Sequence, residues 1–138
     1  MTALPSASVL VRTWFGGDGA WESLVRRVQA PSGEGFLATV ALVDAPAFEG
    51  LTAEALAEKQ SAGPVVSFLA DETTLSSAEH PILAVRVASH RGGDRRDHQP
   101  FRVVPAELWS VENNINLANM DWADFTSSVD NNGVFRGF

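Results

Sequence analysis

His80 is the side chain of this sequence with the most chemistry to offer. It precedes Pro81 at the start of a strand, which holds it in place, and Glu79 is its neighbour. Asp71 and Glu72 lie near it in the chain, so a general-base role is open to it. A nucleophile to serve that base is harder to find. The sequence contains no G-x-S-x-G elbow, no H-x-x-x-H and no H-E-x-x-H. A capping or surface histidine is the simpler reading of His80. The other two histidines, His90 and His98, fall in a run of mixed charge and read as solvated.

A second constellation is defined by strand ends. Arg12 and Thr13 close the first apolar segment, Asp44 closes the second, and Asp71 with Glu72 closes the third. Open α/β sheets bind ligands at the carboxyl ends of their strands. One arginine facing several carboxylates there can hold a small polar ligand, with Arg12 as anion anchor and Asp71 or His80 as base. The plainer reading is a polar rim carrying a structural ion pair. Gly16-Gly17-Asp18-Gly19 follows the first strand where nucleotide folds place a phosphate loop. It has neither the G-x-G-x-x-G spacing nor a Gly-Lys-Ser/Thr ending, and Asp18 would oppose phosphate, so it reads as a tight capped turn.

The least ordinary stretch is Glu107 to Trp122. It holds Trp109 and Trp122, with Asn113, Asn114, Asn116 and Asn119 between them. Asparagine competes for backbone hydrogen bonds and is a poor helix-interior residue. Asn113 and Asn114 are therefore expected to end a helix, one of them in the left-handed region. Buried amides here can latch a loop through its backbone groups. Alternatively, the tryptophans and amides together form a recognition surface for a ligand or partner.

The elements that must position these groups follow from periodicity. Ser8 to Phe15, Phe36 to Asp44 and Val65 to Ala70 are apolar on both parities and read as buried strands. Between them lie two helical segments. The first runs from Gly19 to Gln29, with Asp18 as N-cap and Trp21, Leu24, Val25 and Val28 as its apolar stripe. The second runs from Thr52 as N-cap to Gln60, with Leu51 and Leu56 as a hydrophobic staple. Asp71 to Pro81 reads as a loop or single turn, with Ser76 and Glu79 as a capping box. Ile82 to Ala88 and Phe101 to Val104 are two further strands, joined by the polar loop Ser89 to Pro100, and are expected to pair antiparallel. That loop, with Arg91, Arg95 and Arg96 among Asp94 and Asp97, reads as a mobile hairpin loop rather than a binding patch.

Pro105 suits the first turn of a helix striped by Leu108, Val111 and Ile115. A further helix is capped by Asp121 and Asp124, with Met120 and Phe125 as staple and Trp122, Phe125 and Val129 as its inner face. Val134 to Phe138 is a short apolar tail. The expected fold is α/β: a mixed, mostly parallel sheet of about five strands, βαβαβ then antiparallel ββ, with a helical C-terminal third. Residues 1–138 read as a single domain, without repeat or linker.

The net charge of −7, with Lys59 the single lysine, repels phosphate backbones and argues against nucleic acid. It suits solubility or a basic partner. The absence of cysteine removes disulfides, zinc-thiolate sites and cysteine nucleophiles, and fits a reducing compartment. Met1 to Ser8 lacks the features of a signal peptide, and no apolar run approaches the length of a membrane span. A cytoplasmic protein without membrane association, cofactor or metal is expected.

The segment Pro105 to Asp121 (PAELWSVENNINLANMD) and the ending Asn132 to Phe138 (NGVFRGF) carry a resemblance. With Leu10 to Phe15, Asp44 to Thr52 (DAPAFEGLT) and His80 to Val85, they resemble a family of small actinobacterial proteins of unknown function. The likeness implies a complete unit over nearly the whole chain. It implies no activity, substrate or catalytic residue.

Three functions stay open. The first is a non-catalytic binding protein, an inhibitor or immunity-like module that masks a basic partner. The second is a small-molecule enzyme or metabolite-binding protein with Arg12, Asp44, Asp71, His80 and Asn119 around one pocket. The third is a homo-oligomeric structural protein whose tail packs across a dimer interface.

Overall fold

The computed structural model describes residues 4–60, 63–87 and 99–138. Six strands form one mixed sheet: β1 (Val9–Arg12), β2 (Ala41–Val43), β3 (Val66–Ala70), β4 (Ile82–Arg86), β5 (Phe101–Val103) and β6 (Val134–Phe135). Their order is β2-β1-β3-β4-β5-β6. Strand β1 pairs parallel with β2 and β3, β4 runs antiparallel between β3 and β5, and β6 is parallel to β5. The helices are α1 (Asp18–Gln29), α2 (Ala53–Lys59), α3 (Glu72–Ser76), α4 (Leu108–Asn116) and α5 (Trp122–Thr126).

The chain leaves β1 to one side for β2 and returns across it to β3. Right-handed crossovers in opposite directions require their helices on opposite faces, and the core divides that way. On one face Leu10, Phe68, Ala84 and Val103 meet Trp21 and Leu24 of α1, Leu108 and Val111 of α4, and Trp122 and Phe125 of α5. On the other, Val9, Val11, Leu69 and Val85 meet Leu56 of α2 and Phe48. The period of two along each strand sorts side chains between these layers.

The expected βαβαβ half and the antiparallel pair are present, and five differences have physical causes. Strand β1 stops at Arg12; beyond it the Trp14 ring lies where a Cβ on Gly16 would sit, 2.2 Å from the nearest ring atom. Strand β2 is three residues long. The preceding backbone is engaged elsewhere: Phe36 N–H donates to Ser32 Oγ (3.0 Å) and Thr39 N–H to Glu112 Oε1 (2.6 Å). Gly17, not Asp18, caps α1, because the Asp18 carboxylate accepts from Arg12. The capping box near residue 76 lies earlier, where Asp71 accepts from Thr74 N–H at 3.1 Å. Helix α4 runs through Asn113 and Asn114 to Asn116, and the left-handed residue after it is Ala118, at φ 57°.

The tail supplies a sixth strand that the apolar pattern alone does not announce. Arg102 N–H donates to Gly133 C=O (3.0 Å) and Val104 N–H to Phe135 C=O (3.2 Å), so Val134 and Phe135 extend the sheet. The C-terminal third is helical with this strand at its end. The loop Ser89 to Pro100, with His90 and His98, lies outside the described residues apart from Gln99 and Pro100. Among the described residues no helix is long and apolar enough to cross a membrane.

Candidate functional site

The carboxyl edge of the parallel strands carries the first polar cluster. Arg12 shares the parity of Leu10 and points to the α1 side, as Asp44 does beyond Leu42. Arg12 is 3% exposed. A buried guanidinium is tolerated only when its donors are used. Its Nε donates to Trp14 C=O (3.1 Å), Nη2 to Asp18 (2.7 Å) and Nη1 to Asp44 (3.3 Å). Its guanidinium carbon also lies 4.4 Å from the Phe15 ring centroid. Beside this triad is a cleft of about 570 Å³ lined by Trp21, Glu22, Val25 and Arg26 as well. The crevice between β1 and β3, where the connections diverge, is bridged by backbone: Thr13 N–H donates to Ala70 C=O (3.0 Å) and Gly50 N–H to Thr13 C=O (2.9 Å).

Asp71 belongs to a separate cluster. Arg102 of β5 reaches it with both terminal nitrogens, at 3.0 and 2.8 Å, and Nη1 also donates to Pro81 C=O at 3.0 Å. Burial opposes ionisation of Asp71. The hydrogen bond from Arg102, the backbone N–H of Thr74 and the charge of Arg102 outweigh it and hold the carboxyl below its ordinary range. Asp71 is therefore paired with Arg102 and not with Arg12.

His80 is buried, at a left-handed φ of 50°. Its Nδ1 lies 3.0 Å from Thr74 C=O, which can only accept, so Nδ1 carries the proton. Nε2 lies 3.1 Å from Ser23 Oγ on α1. Sequence reasoning missed Ser23, since a mid-helix serine has no local mark of pairing with a residue 57 positions away. The pair has the connectivity of a base and a hydroxyl. One turn along α1, Arg27 donates to Ala78 C=O at 2.9 Å. The two contacts together fasten α1 to the turn before β4.

The Asn/Trp segment divides into a latch and a surface. Asn116 Oδ1 accepts from Val65 and Val66 N–H (3.1 and 3.3 Å), and Nδ2 donates to Ser8 Oγ (2.8 Å) and Glu112 Oε2 (3.1 Å). One amide thus ties α4 to the start of β3 and to the residue before β1. Asn114 Nδ2 donates to Ser110 Oγ at 3.3 Å, and its carbonyl accepts from Asn119 and Met120 N–H. Trp122 is buried, with Nε1 donating to Gln99 C=O at 2.8 Å. Trp109 and Asn113 are half-buried and Asn119 is exposed.

Trp109 stands beside an exposed apolar segment. Its ring stacks on Phe36, with centroids 4.5 Å apart, yet Phe36 is 45% and Leu37 48% exposed. Beside them a groove of about 320 Å³ runs between α1 and β2, lined by Val28, Gln29, Leu37, Ala38, Thr39, Val40 and Leu42. Phe36 and Leu37 had looked like core strand residues because composition cannot separate a buried apolar run from one left at an edge. Carboxylates flank the region. Glu107 precedes Trp109, and burial, then the charge of Glu34, raises its carboxyl above the ordinary range.

The five residues grouped for a small-molecule site are thus dispersed. Arg12 and Asp44 meet, Asp71 pairs with Arg102, His80 joins Ser23, and Asn119 stands apart. No curated protein matches the chain. The family model of a domain of unknown function, DUF6924, matches residues 7–138, and the chain belongs to that family.

Proposed function

We propose that this chain is a non-catalytic binding protein of the bacterial cytoplasm that engages a basic protein partner. One observation carries the reading: among the described residues Arg12, Asp71 and His80 are each engaged in internal contacts, while large apolar side chains stand exposed. Arg12 uses its donors on Trp14, Asp18 and Asp44. Asp71 is held by Arg102, and the imidazole of His80 spans Thr74 and Ser23. Phe36 and Leu37 remain half in solvent. Interfaces concentrate affinity in a few well-packed anchors, large aromatic side chains prominent among them. The net charge of −7 selects a partner of opposite sign and steers its approach. The lack of cysteine suits a reducing compartment.

The test is binding of the full chain to a panel of small basic and acidic proteins, measured by interferometry across a salt series. Saturable binding within the basic set, weakening as salt rises, is expected. No binding to any basic protein at physiological salt would overturn the reading. So would turnover of an ester substrate that is lost in Ser23→Ala, because that result would give the Ser23–His80 pair a catalytic role.

A further inference from the structure

We infer that the docking site is the open edge of β2, and that its occupant is an extended basic segment of the partner, added to the sheet as a seventh strand. This rests on the binding reading above and names the surface and the form of the ligand.

Backbone geometry comes first. β2 is terminal in the strand order, with β1 on its inner side. Ala41 N–H donates inward to Ser8 C=O at 2.9 Å. Strand residues alternate in direction, so Val43 also faces β1 while the N–H and C=O of Leu42 turn outward. Among the described residues nothing pairs with that outer edge. Exposed edges are usually blunted by a lysine, a proline or a covering element. Neither a lysine nor a proline lies in or just before β2, whose residues are Ala41, Leu42 and Val43 with Val40 preceding; its three-residue length limits the edge to one outward-facing residue, Leu42.

The side chains then favour one kind of guest. Leu42 faces the α1 layer, where the groove between Val28, Leu37 and Val40 runs beside the edge. A strand laid along β2 would drop an apolar side chain into that groove and turn the next one away. Main-chain bonds supply affinity in this mode and the pocket supplies selectivity. Charge fixes the rest. Asp44 follows β2; it and Asp18 share the one charge of Arg12 and are 45% and 85% exposed, which leaves a net negative charge facing solvent at that end. Glu34, exposed, precedes Phe36 by two residues, and Glu107, half-buried, precedes Trp109 by two, so both acids belong to the segments that carry the Phe36–Trp109 stack. Alternating apolar and arginine residues match both features, and a neutral or acidic strand would not.

The experiment is a nuclear magnetic resonance titration of the ¹⁵N-labelled full chain with a synthetic peptide of alternating arginine and valine. The control peptide has proline in place of each valine, which keeps the charge and removes N–H donors. The alternating peptide should shift the Val40 and Leu42 amides saturably and slow hydrogen exchange at Leu42. The proline peptide should bind at least ten-fold more weakly. Leu37→Asp, at a half-exposed position, should weaken the alternating peptide at least ten-fold with the melting temperature unchanged. Equal binding of both peptides, or shifts confined to other surfaces, overturns the edge site while leaving a basic partner in place. Failure of both peptides together with failure of every basic protein overturns the two readings at once. Dimers that form without peptide and protect Leu42 overturn the proposal in favour of a second copy of this chain.

Discussion

Asp71 receives two charge-assisted bonds from Arg102 while its own Oδ1 caps α3. Replacing it with asparagine keeps a good cap and removes the ion pair, which separates the two roles. The Asp71→Asn variant should lose about 1–3 kcal/mol at pH 7. The pH dependence has a definite sign. The folded carboxyl titrates below its ordinary value of 3.8, so its stabilisation is complete above that value and fades as pH falls through the folded value. Denaturation curves of the two proteins should therefore converge in acid. A gap that persists unchanged at the lowest pH would place the loss in packing instead. Exposed pairs behave differently. Arg136 reaches Asp130 and Glu79 at the surface, and solvent screening leaves such contacts with little net effect.

Helix α4 shows how an element can be legible while its purpose is hidden. The stripe Leu108, Val111, Ile115 marks a helix, and the latch was foreseen as a use for the asparagines. The sequence does not single out Asn116, because the backbone N–H groups it accepts from lie 50 and 51 residues away and carry no sequence signature. Helix α2 was readable down to its cap, since Thr52 accepting from Ala55 N–H is a local interaction. So was α5, where Asp121 N–H donates to Asp124 Oδ2 at 2.8 Å. Short-range chemistry is written in neighbouring residues; the ends of β2 and the Ser23–His80 contact depend on distant ones. The latch itself is testable. Asn116→Ala strands the N–H groups of Val65 and Val66, at a cost of about 1–3 kcal/mol. Exchange protection should fall at those two amides. A variant of full stability with weakened binding to basic protein would return Asn116 to the recognition surface.

The whole molecule is a sheet with two unlike margins. On one side β2 is short, open and flanked by acid. On the other, β6 is closed by its own chain. Phe135 is fully buried, and Phe138, though exposed, sits 5.4 Å from Phe125 and 4.8 Å from Phe135 between ring centroids. An apolar tail of this composition can serve a dimer or its own core, and concentration distinguishes the two. A tail shared between subunits makes the melting temperature rise with protein concentration, since association and folding are linked. A tail that completes its own sheet gives a value independent of concentration. Deleting residues 134–138 removes the buried Phe135 and the strand beside β5. The cavity left by such a phenylalanine alone costs about 3–5 kcal/mol, a large part of the about 5–15 kcal/mol available to a domain. The truncated chain should unfold at markedly lower denaturant, and the intact chain should melt at one temperature across a hundred-fold concentration range. A stable truncated monomer derived from an intact dimer would reverse the assignment of the two margins and make β6, rather than β2, the edge at which this molecule meets another.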